Sequence, residues 1–290
     1  MQGIINVYKP QNYTSHDCVA IVRRVTGVKR VGHTGTLDPM ATGVLPICIG
    51  RATKVIQYMD DATKEYSCTM KLGTVTDTLD IWGTVIREEK DFTVDNEAII
   101  EAVESFHGEI EQIPPKYSAL KVKGKKLYEY AREGKDVEIK PRRVNIHSIN
   151  VDYIKNNYVN FTVRCSKGTY VRTLCDDIGN MLGMGACMSA LERTESSPFT
   201  VDKTINIEDI KNFSPEDIAD VLYPLDFPLN FEKLSFDQEM TMDIINGKYI
   251  KVEDISAGSY SIYTEGIFIG IANVKDGVLH AEKIINTDII

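Results

Sequence analysis

The stretch of residues 32–46, which reads GHTGTLDPMATGVLP, constrains the fold of this chain more than any other. It contains three glycines and two prolines in fifteen residues. Glycine reaches backbone conformations that other residues avoid and proline fixes one torsion, so we expect an ordered loop over 31–42. Such a loop could present the carboxylate of Asp38 at one angle. On spacing alone, however, an aspartate directly before Pro39 is also typical of a turn cap.

The sequence lacks the signatures of several common cofactor sites. It contains neither a P-loop motif nor a GxGxxG dinucleotide motif. None of the six cysteines forms a CxxC pair, and reduced cysteines are the simplest interpretation. Asp77 and Asp80 could hint at a metal, but no third ligand lies near them in sequence, so turn capping is preferred. We therefore expect no metal and no organic cofactor.

Nothing in the sequence indicates export or a membrane. No apolar run approaches the roughly 20 residues needed to span a bilayer. Residues 1–10 lack the basic-then-apolar pattern of a signal peptide. We expect a cytoplasmic protein.

Strand and helix signals alternate along the first three quarters of the chain, which predicts an α+β domain with a mixed sheet over residues 1–228. A hairpin should turn at Asn156 and Asn157, and Thr14 and Ser15 should cap the first helix. The strands are predicted at 3–7, 44–49, 65–72, 144–154, 158–165 and 187–193, the helices at 14–26, 52–59, 95–106, 125–132 and 169–182, and extended segments at 112–122.

The pattern of predicted elements changes after about residue 225. Pro224, Pro228 and Asn230 indicate a linker. One helix at 237–245 and short strands at 249–252, 260–263, 267–274 and 278–284 are predicted after it. We therefore expect a second, small β-rich domain over 229–290.

Charge is distributed unevenly along the chain. The net charge is −9, yet residues 201–290 alone hold 17 acids and 7 lysines. Residues 116–143 carry 10 basic residues against 4 acidic ones, and tyrosines are interleaved with the lysines. Because local surface charge contacts phosphates, the acidic total does not exclude RNA binding. The segment could contact phosphates through Lys121 and Lys123, or it could be a solvated charged helix.

Six motifs in order resemble those of TruB-type pseudouridine synthases. Together they cover residues 3 to about 200. They are Lys9-Pro10, the loop 32–46, Lys64-Glu65-Tyr66, GTVTDTLD at 73–80, PPKYSALK at 114–121 and GTYVR at 168–172.

The resemblance implies a role for each motif residue. Asp38 would be the nucleophile, since an aspartate is anionic at neutral pH. Arg172 would pair with that carboxylate and orient it. Tyr66 would stack on a flipped-out uracil, although a core tyrosine in a strand is the alternative.

Further residues would contact the substrate by the same resemblance. Tyr170 and Leu191 would line the pocket, and Lys9 would lie among the substrate-binding residues. His33 has two interpretations: a general base that removes the C5 proton, or an RNA contact that holds the target base out, which we prefer.

The resemblance therefore implies an enzyme that isomerises a uridine in the T loop of tRNA, uridine 55, to pseudouridine. We expect a monomer that binds the T-arm without an obligate protein partner. A guide-RNA-dependent relative of the same fold is one alternative, and an RNA-binding or RNA-folding protein is another. The C-terminal domain resembles the PUA-like domain of these synthases.

Overall fold

The computed structural model describes residues 1–59, 63–89 and 92–286. They form a mixed α+β fold with a ten-stranded mixed sheet and a separate five-stranded sheet. The strands are β1 (Gly3–Lys9), β2 (Val31–His33), β3 (Thr42–Ile49), β4 (Lys64–Leu72), β5 (Thr74–Thr76), β6 (Val85–Glu88), β7 (Gly108–Gln112), β8 (Lys121–Val122), β9 (Lys125–Lys126), β10 (Arg142–Lys155), β11 (Tyr158–Cys165), β12 (Ala186–Ser196), β13 (Phe199–Thr200), β14 (Ile205–Asn206), β15 (Glu232–Ser235), β16 (Ile250–Lys251), β17 (Gly258–Thr264), β18 (Ile267–Lys275) and β19 (Val278–Ile284).

The helices are short. None among the described residues is long and apolar enough to cross a membrane. They are α1 (Ser15–Thr26), α2 (Asn96–Glu104), α3 (Leu127–Arg132), α4 (Val171–Met181), α5 (Ile207–Ile210), α6 (Pro215–Asp220) and α7 (Gln238–Ile245), with 3-10 turns at Gly50–Lys54, Ile56–Tyr58 and Val201–Lys203.

Strand β12 lies at the centre of the large sheet. It pairs in parallel with β3 and antiparallel with β4. The order along the sheet is β14-β1-β3-β12-β4-β11-β10-β7, and β2 pairs with β3. The register places Arg193 opposite both Gly43 and Tyr66, so two of the motif segments meet strand β12 at one point of the sheet.

The two faces of the large sheet are covered by different parts of the chain. Alternation along β1 and β3 directs Ile5 and Leu45 into a core that α1 and α4 complete. The same alternation directs Ile4 and Val44 to the opposite face, where they pack with Tyr263 and other residues of the second sheet. The helical face therefore holds the main core, and the C-terminal sheet covers the back.

The second sheet, in the order β15-β17-β18-β19-β16, has an apolar core of its own. The division into domains at 228/229 stays a prediction. The strands of the two sheets do not pair with each other, yet residues of both sheets pack in one apolar cluster. The linker predicted around Pro224 is packed, since Leu225 is buried. Residues 287–290 of the predicted C-terminal domain lie outside the described residues.

Local signals located most of the long elements. Thr14 and Asp17 form a capping box at the start of α1, and Gly27 ends the helix with φ 68°. The predicted hairpin is present as β10 and β11, and Asn156 has φ 55°. Three predictions need correction: residues 31–33 of the loop predicted over 31–42 form the strand β2, 52–59 forms two 3-10 turns instead of one helix, and the helix predicted from residue 125 begins at Leu127 after the strand β9.

Candidate active site

The loop that carries Asp38 is pinned on both sides of the carboxylate. Ser15, at the start of α1, accepts from the amide of Leu37 at 2.8 Å and donates to its carbonyl at 3.2 Å. The carbonyl of Asp38 accepts from the amide of Ala41 at 3.0 Å. Because the backbone next to Asp38 is fixed, its side chain leaves the loop in one direction.

Lys9 lies beneath the same loop. Its ammonium donates to the carbonyl oxygens of Tyr13 at 2.7 Å, Pro10 at 3.0 Å and Pro39 at 3.4 Å. Burial lowers the pKa of Lys9 to about 8. The residue is 0% exposed, so it has no free surface with which to touch a substrate. Its environment therefore differs from the predicted substrate contact, and it holds the turn at Pro39 instead.

Arg172 and Asp38 form a direct ion pair. The Nε of Arg172 lies 2.9 Å from Oδ2 of Asp38. The guanidinium also donates to the carbonyls of Thr78 at 3.0 Å and Tyr117 at 2.9 Å. The Arg172 side chain is 6% exposed and that of Asp38 is 37% exposed. A buried, fixed cation thus holds a carboxylate that remains accessible, as the pairing predicted from the motifs requires.

A second carboxylate adjoins the same guanidinium. Oδ2 of Asp80 lies 3.7 Å from Arg172. Its other oxygen accepts from the hydroxyl of Thr78 at 2.9 Å and from the amide of Trp82 at 3.1 Å. Burial raises the pKa of Asp80, and Thr78 and Arg172 oppose that shift. Asp80 therefore caps its turn, as predicted, and shares the charge of Arg172 with Asp38.

Tyr66 is buried in β4, and its hydroxyl bonds with Arg193. Burial raises the pKa of Tyr66 and lowers that of Arg193. Arg193 also donates to the carbonyls of Val44 at 2.7 Å and Gly35 at 3.2 Å. Sequence reasoning missed Arg193, which connects the loop that carries Asp38, β3 and Tyr66.

Gly43 explains one of the glycines in the loop motif. Its φ is 102°, and a Cβ at this position would lie 2.3 Å from the carbonyl oxygen of Arg193. Any larger residue would push β3 away from β12. Gly43 therefore allows the loop to approach the strand that carries Leu191 and Arg193.

Tyr170 and Leu191 are each held in the fold, and their predicted role in lining a pocket stays a prediction. Tyr170 precedes α4, and Gln112 holds its backbone through both the amide, at 3.0 Å, and the carbonyl, at 3.3 Å. Leu191 is 8% exposed and faces Cys68 across the β12–β4 pair. In an antiparallel pair, Leu191 therefore shares a face with Tyr66 and Arg193.

His33 ends β2. Burial lowers its pKa, with the charge of Arg193 as the second cause. Its Nδ1 has no hydrogen-bond partner among the described residues. The imidazole is therefore near the Arg193 cluster and predominantly neutral at neutral pH, a state that fits both roles considered for it.

Lys121 and Lys123 are exposed on the small hairpin of β8 and β9. Lys123 and Gly124 form its turn with φ of 50° and 85°. The hairpin follows Tyr117, whose carbonyl binds Arg172, so the active centre and the basic hairpin are connected through the backbone.

No group of three or more metal-ligating side chains occurs among residues 1–59, 63–89 and 92–286. Asp77 accepts from the amide of Thr84 at 2.7 Å, which is a turn-capping contact like that of Asp80. The candidate site itself brings together one accessible carboxylate, a buried arginine and a buried tyrosine.

The profile of the TruB family pseudouridylate synthase N-terminal domain matches residues 23–171. The profile of the tRNA pseudouridylate synthase B C-terminal domain matches residues 172–230. The chain belongs to the TruB family. As a TruB-family protein it is a pseudouridine synthase, and hence an isomerase.

Relatives of this TruB-family chain match along almost its whole length. The tRNA pseudouridine synthase B of Clostridium tetani (strain Massachusetts / E88) is 46% identical over 284 residues, which cover 96% of this chain and 97% of that protein. The protein of the same name from Alkaliphilus oremlandii (strain OhILAs) is 45% identical over 284 residues, with 95% and 94% covered.

Among solved structures, a chain of a Cbf5-Nop10-Gar1 complex superimposes with a TM-score of 0.75 at 26% identity. The match covers 98% of the TruB-family chain and 85% of that chain. The mixed sheet and the C-terminal β-rich part are therefore shared with a pseudouridine synthase fold found within a larger assembly.

Proposed function

We propose that this protein isomerises uridine 55 in the T loop of tRNA to pseudouridine, with Asp38 as the nucleophile. The observation that carries the proposal is the pair in which a buried Arg172 holds the accessible carboxylate of Asp38 at 2.9 Å. The relatives named tRNA pseudouridine synthase B support tRNA as the substrate.

The reaction needs no second substrate. The bond between uracil N1 and ribose C1′ breaks, a bond between uracil C5 and C1′ forms, and the proton on C5 is exchanged for one on N1. Atoms and charge are conserved, so a nucleophile that binds and then leaves is sufficient. Asp38 can attack either the uracil ring or the ribose, since both routes give the same overall change in bonds and protons.

Each predicted site residue has a task in this scheme. Arg172 orients Asp38 through a planar fork that is also fixed by two carbonyls. Tyr66 offers an aromatic face to the flipped uracil, and Arg193 fixes its hydroxyl. Tyr170 and Leu191 enclose the base, and His33 holds the RNA loop open. A closed pocket keeps the detached ring in place while it turns.

The two alternatives predict different RNA requirements. A guide-RNA-dependent synthase would need a second RNA, whereas the relatives at 45–46% identity carry the name of a tRNA enzyme. An RNA-binding or RNA-folding protein would not need the Asp38–Arg172 pair. We therefore propose a stand-alone enzyme that acts as a monomer without an obligate protein partner.

Purified protein and an unmodified tRNA transcript, without any guide RNA, test the proposal. We expect pseudouridine at position 55, none in a matched transcript with cytidine 55, and none with Asp38→Asn. Because the amide keeps the shape of the carboxylate, Asp38→Asn should still bind the transcript within about threefold while its single-turnover rate falls a thousandfold or more. Pseudouridine formed by the Asn variant at the normal rate would refute the role of Asp38.

A further inference from the structure

Trp82 is a large aromatic side chain left in solvent beside the active centre. It is the single tryptophan of the chain, and it is 51% exposed. Val85 and Ile86 on the following strand are 54% and 67% exposed. Exposed apolar side chains that lie close in sequence beside a candidate active site commonly mark an interaction surface.

The turn that carries Trp82 is tightly fixed. Its amide donates to Oδ1 of Asp80 at 3.1 Å, and the amide of Ile81 donates to the carbonyl of Met188 at 2.8 Å. A Cβ at Gly83 would lie 2.3 Å from the hydroxyl oxygen of Thr78, so the turn is closely packed. The backbone is therefore preorganised, whereas the indole it carries remains exposed.

The turn belongs to the active centre through one carboxylate. Asp80 accepts from the Trp82 amide with one oxygen, and its other oxygen lies 3.7 Å from Arg172. Arg172 in turn pairs with Asp38. The same guanidinium binds the carbonyl of Tyr117, which leads into the basic hairpin. The exposed indole and the basic hairpin thus extend from two sides of a single arginine.

We propose that Trp82 stacks on an unpaired nucleobase of the substrate RNA that neighbours the flipped uridine. The proposal rests on the proposed function and deepens it. Every nucleobase has a flat face that stacks on an aromatic ring, and removal of such a ring weakens RNA binding about five- to a hundredfold. The turn of Trp82 is linked to the Asp38–Arg172 pair through Asp80, and the hairpin with exposed Lys121 and Lys123 follows another partner of the same arginine, which favours RNA as the occupant over a protein surface.

Variants of the full-length protein separate stacking from packing. Trp82→Ala should bind an unmodified T-arm stem–loop about tenfold or more weakly. Trp82→Phe should retain most of the affinity, and Trp82→Leu, which is apolar but not aromatic, should resemble Trp82→Ala. Tyr249→Ala is the matched control, because Tyr249 is a 73% exposed aromatic residue directly before β16 and its loss should leave RNA binding unchanged. Melting temperatures establish that each variant is folded.

The single tryptophan also provides a direct signal. The stem–loop should quench the fluorescence of the unmodified protein, whereas a blunt RNA duplex with the same number of phosphates should not. Equal stem–loop affinity of Trp82→Ala and the parent, without quenching, would overturn the proposal and leave the surface to a protein partner. Pseudouridine formation by the parent in the same samples separates the two ideas, because its absence would count against the proposed function whatever Trp82 does.

Discussion

At the scale of single residues, one guanidinium organises the active centre. Arg172 is surrounded by Asp38, Asp80 and the carbonyls of Thr78 and Tyr117. Burying a charge costs about as much as a well-formed pair returns, so the net gain in stability is small. The arrangement instead fixes the orientation of the guanidinium, because each of its three nitrogens has a fixed partner.

Arg172→Lys keeps the charge and removes the fork. A single ammonium cannot satisfy four acceptors spread around a plane, so Asp38 should lose its fixed orientation. We expect the single-turnover rate on tRNA to fall at least about a hundredfold, while the affinity for RNA changes only about threefold. Rapid-quench assays at saturating enzyme measure the rate. A variant as fast as the parent would show that Asp38 requires only a positive charge at position 172 and not the geometry of the guanidinium.

His33→Asn distinguishes the two roles considered for His33. As an RNA contact, its loss should weaken binding about tenfold and leave the saturating single-turnover rate within about threefold. A general base would instead contribute a hundredfold or more to that rate. Binding titrations and single-turnover assays on the same tRNA give both quantities, and a large loss of rate would contradict our preference for the RNA contact.

The lowered pKa of His33 also predicts a pH dependence of stability. The folded-state pKa lies below the ordinary value of 6.5, so the unfolded chain binds the proton more readily. The contribution of His33 to stability is therefore fully present above pH 6.5 and is lost as the pH falls through the folded-state pKa. The melting temperature of the parent should decline more steeply below pH 6.5 than that of His33→Asn.

The sequence motifs predicted Asp38, Arg172 and Tyr66 but not their supporting residues. Arg193 was missed because its partners, Gly35, Val44 and Tyr66, are distant in sequence and meet only through sheet register. One signal existed: within a strand whose alternate residue Leu191 faces inward, position 193 also faces inward, where an arginine requires partners. The enclosure of Lys9 gave no signal, since it depends on three carbonyls of folded loops.

At the scale of elements, the loop that carries Asp38 depends on the helix that precedes it. Ser15 is both the first residue of α1 and the residue that binds Leu37, whereas the side chain of the adjacent Thr14 caps the same helix through hydrogen bonds with Asp17. Substitutions at these two neighbouring residues can therefore distinguish an effect on the stability of α1 from an effect on the position of the Asp38 loop.

Ser15→Ala should impair catalysis, and Thr14→Ala should not. The first change leaves the buried amide of Leu37 without its acceptor, at a cost of about 1–3 kcal/mol next to Asp38. The second removes a helix cap at a cost of about 1 kcal/mol. We expect the single-turnover rate to fall about tenfold in Ser15→Ala and to stay within twofold in Thr14→Ala, with both melting temperatures lowered. Equal rates in the two variants would contradict the pinning of the loop by Ser15.

Elements with strong local signals were the predictable ones. Helix α1 has a capping box and a terminal glycine, and the hairpin of β10 and β11 has an Asn-Asn turn. Strands β5, β6, β13 and β14 were not predicted, because they have two to four residues and form only against tertiary partners. The same reason applies to 52–59, where packing against β3 and the second sheet favours 3-10 turns over a regular helix.

At the scale of the whole molecule, the distribution of charge matters more than its sum. Within the part of the chain that the structure describes, neither Lys121 nor Lys123 forms an ion pair, whereas Lys116 pairs with Asp136 and Lys135 with Glu133. The two free lysines are therefore the better candidates for phosphate contacts.

Lys121→Glu with Lys123→Glu should weaken tRNA binding and flatten its salt dependence. Each lost phosphate contact lowers the slope of log affinity against log salt by roughly one unit. We expect a slope reduced by about two. The control, Lys116→Glu with Lys135→Glu, changes the net charge equally but replaces lysines that already have acidic partners, so its slope should change by less than one. Equal slopes in both double variants would show that only total charge matters.

The C-terminal sheet supports the catalytic part through an apolar interface. Phe268 and Ile271 pack in one cluster with Ile4 and Cys48 of the large sheet. Tyr263 donates to Asp226 at 2.5 Å across the same junction. The acidic C-terminal part can offer little electrostatic attraction to RNA, so we expect it to contribute by stabilising the fold of the larger sheet.

Removal of residues 229–290 tests this division of labour. Each apolar side chain that becomes exposed costs about 1.5–3 kcal/mol, so the melting temperature should fall by at least about 10 °C. Ile271→Ala in the full chain, at a cost of about 2–5 kcal/mol, gives a milder loss at the same interface. Because Asp38, Tyr66 and Arg172 all precede residue 229, the folded fraction of the truncated protein should still form pseudouridine in a single turnover. A truncated protein that is folded and binds tRNA normally, yet forms none, would mean that the C-terminal sheet completes the active site.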